Sequence, residues 1–263
     1  MDRSTFGPLG VSLTISGDGT HTTRAATLEG AGVSTLWIAG GQLDGVELLG
    51  EVAAATAEVL VGSAVAAIEV HDAPSLAAVH RGAPDRIVAG IGTQGPRPLP
   101  RLAAYLDELD GLGVGRDRRV LAALGPRKLE LARDRSAGAL ALLVTPEYTA
   151  QARAALGPDA VLVVHHFAVV DEDPATARAA LRGPLEFLLG VPGYAENFRR
   201  MGFTDDDIAD RSDRLVDATS AWGSADTVTA RLREHLDAGA DQVVVDETAF
   251  ARGAGAGVIA AAR

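Results

Sequence analysis

Eight short apolar runs recur along the chain, each followed by a stretch with helical spacing. No other feature constrains the fold as much. The runs are Leu9 to Ile15, Thr35 to Ile38, Val59 to Ala67, Arg86 to Gly90, Arg119 to Leu124, Ala139 to Val144, Ala160 to Val170 and Gln242 to Val245. Near-continuous runs of this kind read as parallel strands buried on both faces. Helices are expected at Thr20–Ala31, Val46–Ala57, Pro74–His80, Pro100–Leu109, Pro126–Ser136, Pro146–Leu156 and Pro174–Leu189. Ser224 caps another, running to Ala238, and Ala249–Arg263 reads as a closing helix. Eight units in 263 residues fit a closed (β/α)8 barrel better than an open sheet. The Gly-x-Gly-x-x-Gly turn that would favour an open sheet is missing, because Ser16-Gly17-Asp18-Gly19 lacks the spacing.

One segment breaks the rhythm. Gly193 to Ala218 reads as two or three short helices, with Thr204 a cap before Asp205-Asp206-Asp207. These aspartates suit the positive start of a helix better than a metal site. The expectation is an α/β chain: a (β/α)8 TIM barrel with a helical insertion before the last helix and strand. Residues 1–263 would form one domain, with the insertion at about 190–220.

Composition narrows the function. Aromatic residues make up only 4% of the chain, so Ala, Val and Leu must build the core. There is no cysteine, which excludes a disulfide framework, thiol catalysis and thiolate metal sites and suits a reducing cytoplasm. Neither a signal peptide nor a run long enough for a membrane helix is expected. A formal charge of −11 argues against a nucleic-acid surface, although a local site can oppose it.

Candidate site residues cluster where strands end. The run from Val59 turns polar at Glu69, His71 and Asp72, as at the carboxyl end of a barrel strand. Its small residues Gly62, Ser63 and Ala64 either pack tightly or let a flat group approach the backbone. Ala123-Leu124-Gly125-Pro126-Arg127-Lys128 follows a strand and opens a helix, a candidate anion site or an ordinary turn. Gly90-Ile91-Gly92-Thr93-Gln94-Gly95 is a flexible loop at the same end. Arg97, Arg101, Arg116, Arg118 and Arg119 form a basic section that either receives a polyanionic tail or is simply solvated. His165 and His166 point to opposite faces of their strand, so a shared metal is not expected. One would line the barrel and the other pack under a helix. No nucleophile-elbow spacing supports acyl transfer.

The ordered set of segments TLWIA (Thr35–Ala39), Leu60–Pro74, RIVAGIGT (Arg86–Thr93), Val120–Gly138, LVTPEYT (Leu143–Thr149), Gly190–Asp207 and Trp222–Val245 resembles the luciferase-like monooxygenase superfamily. The resemblance is to its coenzyme F420-dependent oxidoreductases. It implies a barrel, usually dimeric, with a deazaflavin or flavin at the carboxyl ends of the strands. It also implies a non-proline cis peptide in strand three, which falls by position at Ser63-Ala64. Cofactor contacts are implied at Ser63, Ala64, Gly92, Thr93, Leu124, Gly125, Pro126 and Arg127. Where relatives carry an acid or histidine after strand two, this chain has Ala39-Gly40-Gly41. Where some carry glutamate after strand four, it has Gln94. No proton donor is identified, and His71 and Gln94 stand as candidates. The connections Asp72–Arg86 and Thr93–Leu102 are shorter than the family norm.

The expected function is hydride exchange between reduced coenzyme F420 and a small organic substrate, in a cytoplasmic homodimer without nucleic-acid or membrane partners. The self-contact is expected on the helix Val46–Ala57, which carries few charges. A flavin mononucleotide (FMN)-dependent monooxygenase is the alternative enzyme. A barrel without cofactor, acting as a binding or partner subunit, is the alternative outside enzymes.

Overall fold

The computed structural model describes residues 3–261. In chain order its first elements are β1 (Leu9–Ser12), α1 (His21–Gly30), β2 (Thr35–Ala39), α2 (Glu47–Ala54), β3 (Leu60–Ala64), β4 (Ala66–Ala67), α3 (Ala73–Gly82) and β5 (Ile87–Gly92). Then come α4 (Pro98–Gly111), β6 (Arg119–Ala122), α5 (Pro126–Arg135), β7 (Gly138–Leu142), α6 (Pro146–Leu156), β8 (Val161–His165), β9 (Ala168–Val170) and α7 (Pro174–Leu189). The chain closes with α8 (Tyr194–Arg200), α9 (Asp205–Asp210), α10 (Asp213–Thr219), β10 (Ala221–Gly223), α11 (Ala225–Asp237), β11 (Gln242–Asp246), α12 (Glu247–Ala251) and α13 (Ala256–Ala261).

Parallel pairing runs β3-β2-β1-β11-β8-β7-β6-β5, and β3 also pairs with β5. The sheet therefore closes into the expected (β/α)8 barrel, with α8 to α10 inserted before α11 and β11. Its interior is filled by Trp37, Leu60, Val88, Val120, Leu140, Val161, Val163 and Val244, with Phe6 stacked on Trp37. The Trp37 indole N–H donates to Gln242 Oε1 at 2.8 Å, and Gln242 donates in turn to Thr35 Oγ1 at 3.0 Å. Few aromatics suffice because one large ring is placed centrally. A Cβ at Gly62 would lie 2.5 Å from that ring, so the glycine makes room for Trp37, not for a ligand.

Three strands and helices differ from the sequence reading. Strand three is interrupted at Val65, and its cis peptide is Ala64–Val65, one residue beyond the expected position. The run Ala160–Val170 is two strands. After His165 the chain leaves the barrel, and β9 pairs with β10 in a separate two-stranded sheet. An apolar pattern without a break cannot mark a strand that changes partners. The closing helix is α12 followed by α13, divided at Gly253 and Gly255, both with positive φ, and Arg263 lies outside the described residues.

Asp72, read as part of a polar strand end, instead caps α3 by accepting from Ser75 N at 2.7 Å. Other local expectations hold: Pro126 and Pro146 open α5 and α6. Thr204 and Asp207 form a capping box on α9, so the aspartates there serve the helix start.

Candidate functional site

A cavity of about 600 Å³ opens at the carboxyl ends of β2 through β7. Its floor is backbone and small side chains: Ala64, Val65, Ala67, Gly92, Ala122 and Leu140. Two glycines make that floor possible. A Cβ at Gly40 would lie 2.5 Å from the Val65 carbonyl oxygen, and one at Gly92 would lie 2.5 Å from Val65 Cγ2. They seat Val65 in the cavity wall.

One end of the cavity is cationic. Arg127 and Lys128 stand at the first turn of α5, whose N-cap Gly125 offers no side-chain cap. Arg200, the last residue of α8, reaches the same place: a Cβ on Gly125 would meet its Nη1 at 3.2 Å. Among the described residues, neither Arg127 nor Arg200 has an ion-pair or hydrogen-bond partner. Lys128 is the only lysine in the sequence. Burial holds its ammonium below the usual range, opposed by the nearby Glu69 carboxylate. The turn is braced from below by Tyr148, whose hydroxyl donates to the Leu124 carbonyl at 2.8 Å.

The Thr93–Gly95 loop forms another wall and is tied down by Glu69. That carboxylate accepts from Thr93 Oγ1 at 2.6 Å and Gly95 N at 3.1 Å, and pairs with Arg101 at 2.7 Å. Burial works against the Glu69 charge, but these donors outweigh it and hold the carboxyl below its usual range. A Cβ at Gly95 would strike the Arg101 guanidinium, so this glycine admits an ion pair.

The opposite wall is apolar and comes partly from the end of α7 and the insertion. Phe187, Leu188, Val191 and Tyr194 line it, facing a mouth that also holds Val70 and Leu99. Sequence reasoning missed this wall and Arg200. The only signal was a polar-poor stretch, Leu185 to Pro192, continuing past the end of a helix.

Of the residues singled out beforehand, Ala64, Gly92, Thr93, Leu124, Gly125, Pro126 and Arg127 line the cavity together, as do His71 and Gln94. Ser63 does not. It is buried, donates to the Gly90 carbonyl at 2.8 Å and accepts from Gly90 N, joining β3 to β5. The basic section also disperses: Arg101 pairs with Glu69, Arg118 with Asp85, and buried Arg119 with Asp110. Arg116 donates to the Arg133 carbonyl. With four of its five arginines, all but Arg97, held elsewhere, the section does not gather into the basic patch considered for a polyanionic tail. His165 and His166 diverge as the strand period demands. His166 packs under α11 with its ring 4.8 Å from that of His235, while His165 lies 3.8 Å from Asp246. Among the described residues no group of three potential metal ligands forms.

The (β/α)8 fold is shared with solved oxidoreductases. A solved F420-dependent secondary alcohol dehydrogenase, in complex with an F420-acetone adduct, aligns over 100% of both chains with a TM-score of 0.72 and 14% identity. The coenzyme F420 dependent tetrahydromethanopterin reductase from Methanopyrus kandleri aligns over 97% of this chain and 96% of its own, with a TM-score of 0.64 and 16% identity. The oxygenating constituent of 3,6-diketocamphane monooxygenase from Pseudomonas putida, in complex with FMN, aligns over 98% and 97%, with a TM-score of 0.58 and 13% identity. No family model matches the sequence, and no curated protein matches it.

Proposed function

We propose that the chain is a luciferase-like oxidoreductase in which reduced coenzyme F420 and a small organic substrate share the cavity. The observation that carries this reading is the group of three cations at the start of α5. In a chain of net charge −11, two of them lack an acidic partner among the described residues, and all face a cavity otherwise lined mostly by apolar side chains. Such a lining suits an uncharged ring system attached to an anionic tail. Backbone N–H groups and charge at a helix start supply a natural phosphate seat. Arg127, Lys128 and Arg200 would hold the tail, and the Ala64–Val65 segment and Gly92 would flank the ring. When bound, the cofactor supplies the redox chemistry. The protein binds, orients and excludes water. His71 and Gln94 are the polar side chains of the wall on the β4 and β5 side and are the candidates to hold a substrate oxygen. Residues 1–263 would act as one barrel domain with its insertion at about 190–220, and as a homodimer joined through α2.

Fluorescence titration with F420 and with flavin mononucleotide tests this. Saturable F420 binding, at least about ten-fold tighter than flavin mononucleotide, is expected because F420 carries more anionic groups for the cations. Tighter flavin binding would replace F420 by the flavin. Binding of neither would remove the oxidoreductase reading and leave a barrel that binds something else.

A further inference from the structure

We propose that the substrate is an uncharged, largely hydrocarbon molecule bearing one oxygen function, bound against the Phe187 wall. The proposal rests on the preceding reading only in assigning the cationic end to the cofactor. Among the described residues the exposed large hydrophobic side chains are two, Val70 at 70% and Phe187 at 72%, and both line this one cavity. Exposing such side chains to water is unfavourable, and convergence on a concave site marks binding of apolar surface. Leu99, Leu188 and Val191 continue the wall inward.

Charge excludes the other substrate classes. Among the described residues no Asp or Glu lines the cavity, so a cationic substrate finds no counter-ion there. The cations lie at the α5 end, and an anionic substrate would be drawn there into competition with the cofactor tail. A polyhydroxylated substrate would leave most of its hydroxyls against Val70, Leu99, Phe187 and Leu188 without partners, a costly arrangement. Beyond the cationic end the polar side chains are few, His71, Thr93 and Gln94 on one side and the Tyr194 hydroxyl on the other, which suits one oxygen function with hydrocarbon on the remaining surface.

The test uses protein saturated with F420 and Nile red as a neutral apolar probe, displaced by decanol or by decanoate. Nile red should bind, and decanol should displace it at least about ten-fold more effectively than decanoate. F187D and V70D should each weaken dye binding by about ten-fold or more, with F420 affinity unchanged. F187L should retain the dye, and thermal melting of each variant checks folding. Equal displacement by decanoate, or dye binding indifferent to both substitutions, overturns the proposal. So does an F187D protein that changes oligomeric state in light scattering while still binding dye, since the wall would then be a subunit contact. If F420 does not bind at all, the proposed function fails, whereas the dye and its variants still decide whether the wall takes apolar ligands.

Discussion

Arg199 and Arg200 are neighbours with opposite fates. Arg199 donates to Asp205 at 2.7 Å, on the outer side of the insertion, while Arg200 turns into the cavity toward Gly125. Adjacent identical residues therefore make a matched pair of experiments. Arg200→Ala and Arg127→Ala should each lower cofactor affinity about ten- to hundred-fold, the range for one charge-assisted contact. Arg199→Ala should leave it unchanged. Gly125→Val should resemble Arg200→Ala, because its side chain would displace the Arg200 guanidinium. Titration of the four variants decides, and an Arg200→Ala protein that binds like the parent removes this residue from the site. A second expectation concerns acid. Burial pushes the His166 imidazole well below its usual range, and burial followed by the Arg231 charge pushes His235 down to about 3. The native state thus takes up fewer protons than the unfolded chain from roughly pH 6.5 downward. Stability should be complete above that pH and should fall below it, as the unfolded chain takes up protons that the buried histidines do not. Urea unfolding at about pH 7, 6 and 5 should show a slope that shrinks by about one proton in His235→Gln. Matching slopes would mean that His235 accepts its proton in the folded protein.

At the scale of elements, starts are better written into the sequence than ends. Thr145 accepts from Tyr148 N, Ser224 from Thr227 N, and Thr204 shares a capping box with Asp207, each at the residue its type predicted. Thr204→Ala should cost about 1 kcal/mol by removing that box, measurable by urea unfolding, because α9 is short and exposed on one side. An unchanged midpoint would mean that Arg214 and Ser212, which also hold Asp207, carry the turn alone. Strand partners were less legible. Nothing local separates β8 from β9, since His165-His166-Phe167 continues the buried run, and a three-residue strand such as β10 carries too little pattern to announce itself. Glycines were ambiguous for a related reason. For Gly62 the sequence left packing and ligand approach open, and for Gly95 only a flexible loop; their space is taken by Trp37 and by Arg101, residues distant in sequence or in the next helix. Gly92 and Gly125 do border the cavity, and their spacing alone does not distinguish them from the others.

At the scale of the molecule, alternation of apolar runs and helices was sufficient for the barrel, because a parallel sheet with short crossovers has few ways to bury eight such strands. The cavity was legible only on the side built by strand ends. Its other wall comes from α7 and the insertion, where Phe187 and Arg200 join the residues of α5 around one cavity although they follow that helix by more than 50 residues in sequence. The expected self-association can now be phrased on a defined surface. Helix α2 buries Leu49, Val52 and Ala53 inward, leaving Glu47, Glu51 and Ala54 outward. A homodimer in light scattering at micromolar concentration is expected, and Ala54→Arg should weaken it about ten-fold or more if α2 is the contact. A monomer would leave the barrel to work alone.

Lys128 has a consequence outside enzymology. Within this sequence an amine-reactive ester finds one side chain to acylate, and that side chain stands in the cavity wall. An α-amino group, the less basic amine, can be blocked first at lower pH and the ester then applied to Lys128. A reporter dye attached through Lys128 would sense the chamber from inside, and a bulky tag there would plug it. Because the sequence also contains no thiol, a cysteine introduced elsewhere would accept a second, orthogonal label. The distance between chamber and exterior could then be followed in solution on an otherwise unaltered chain.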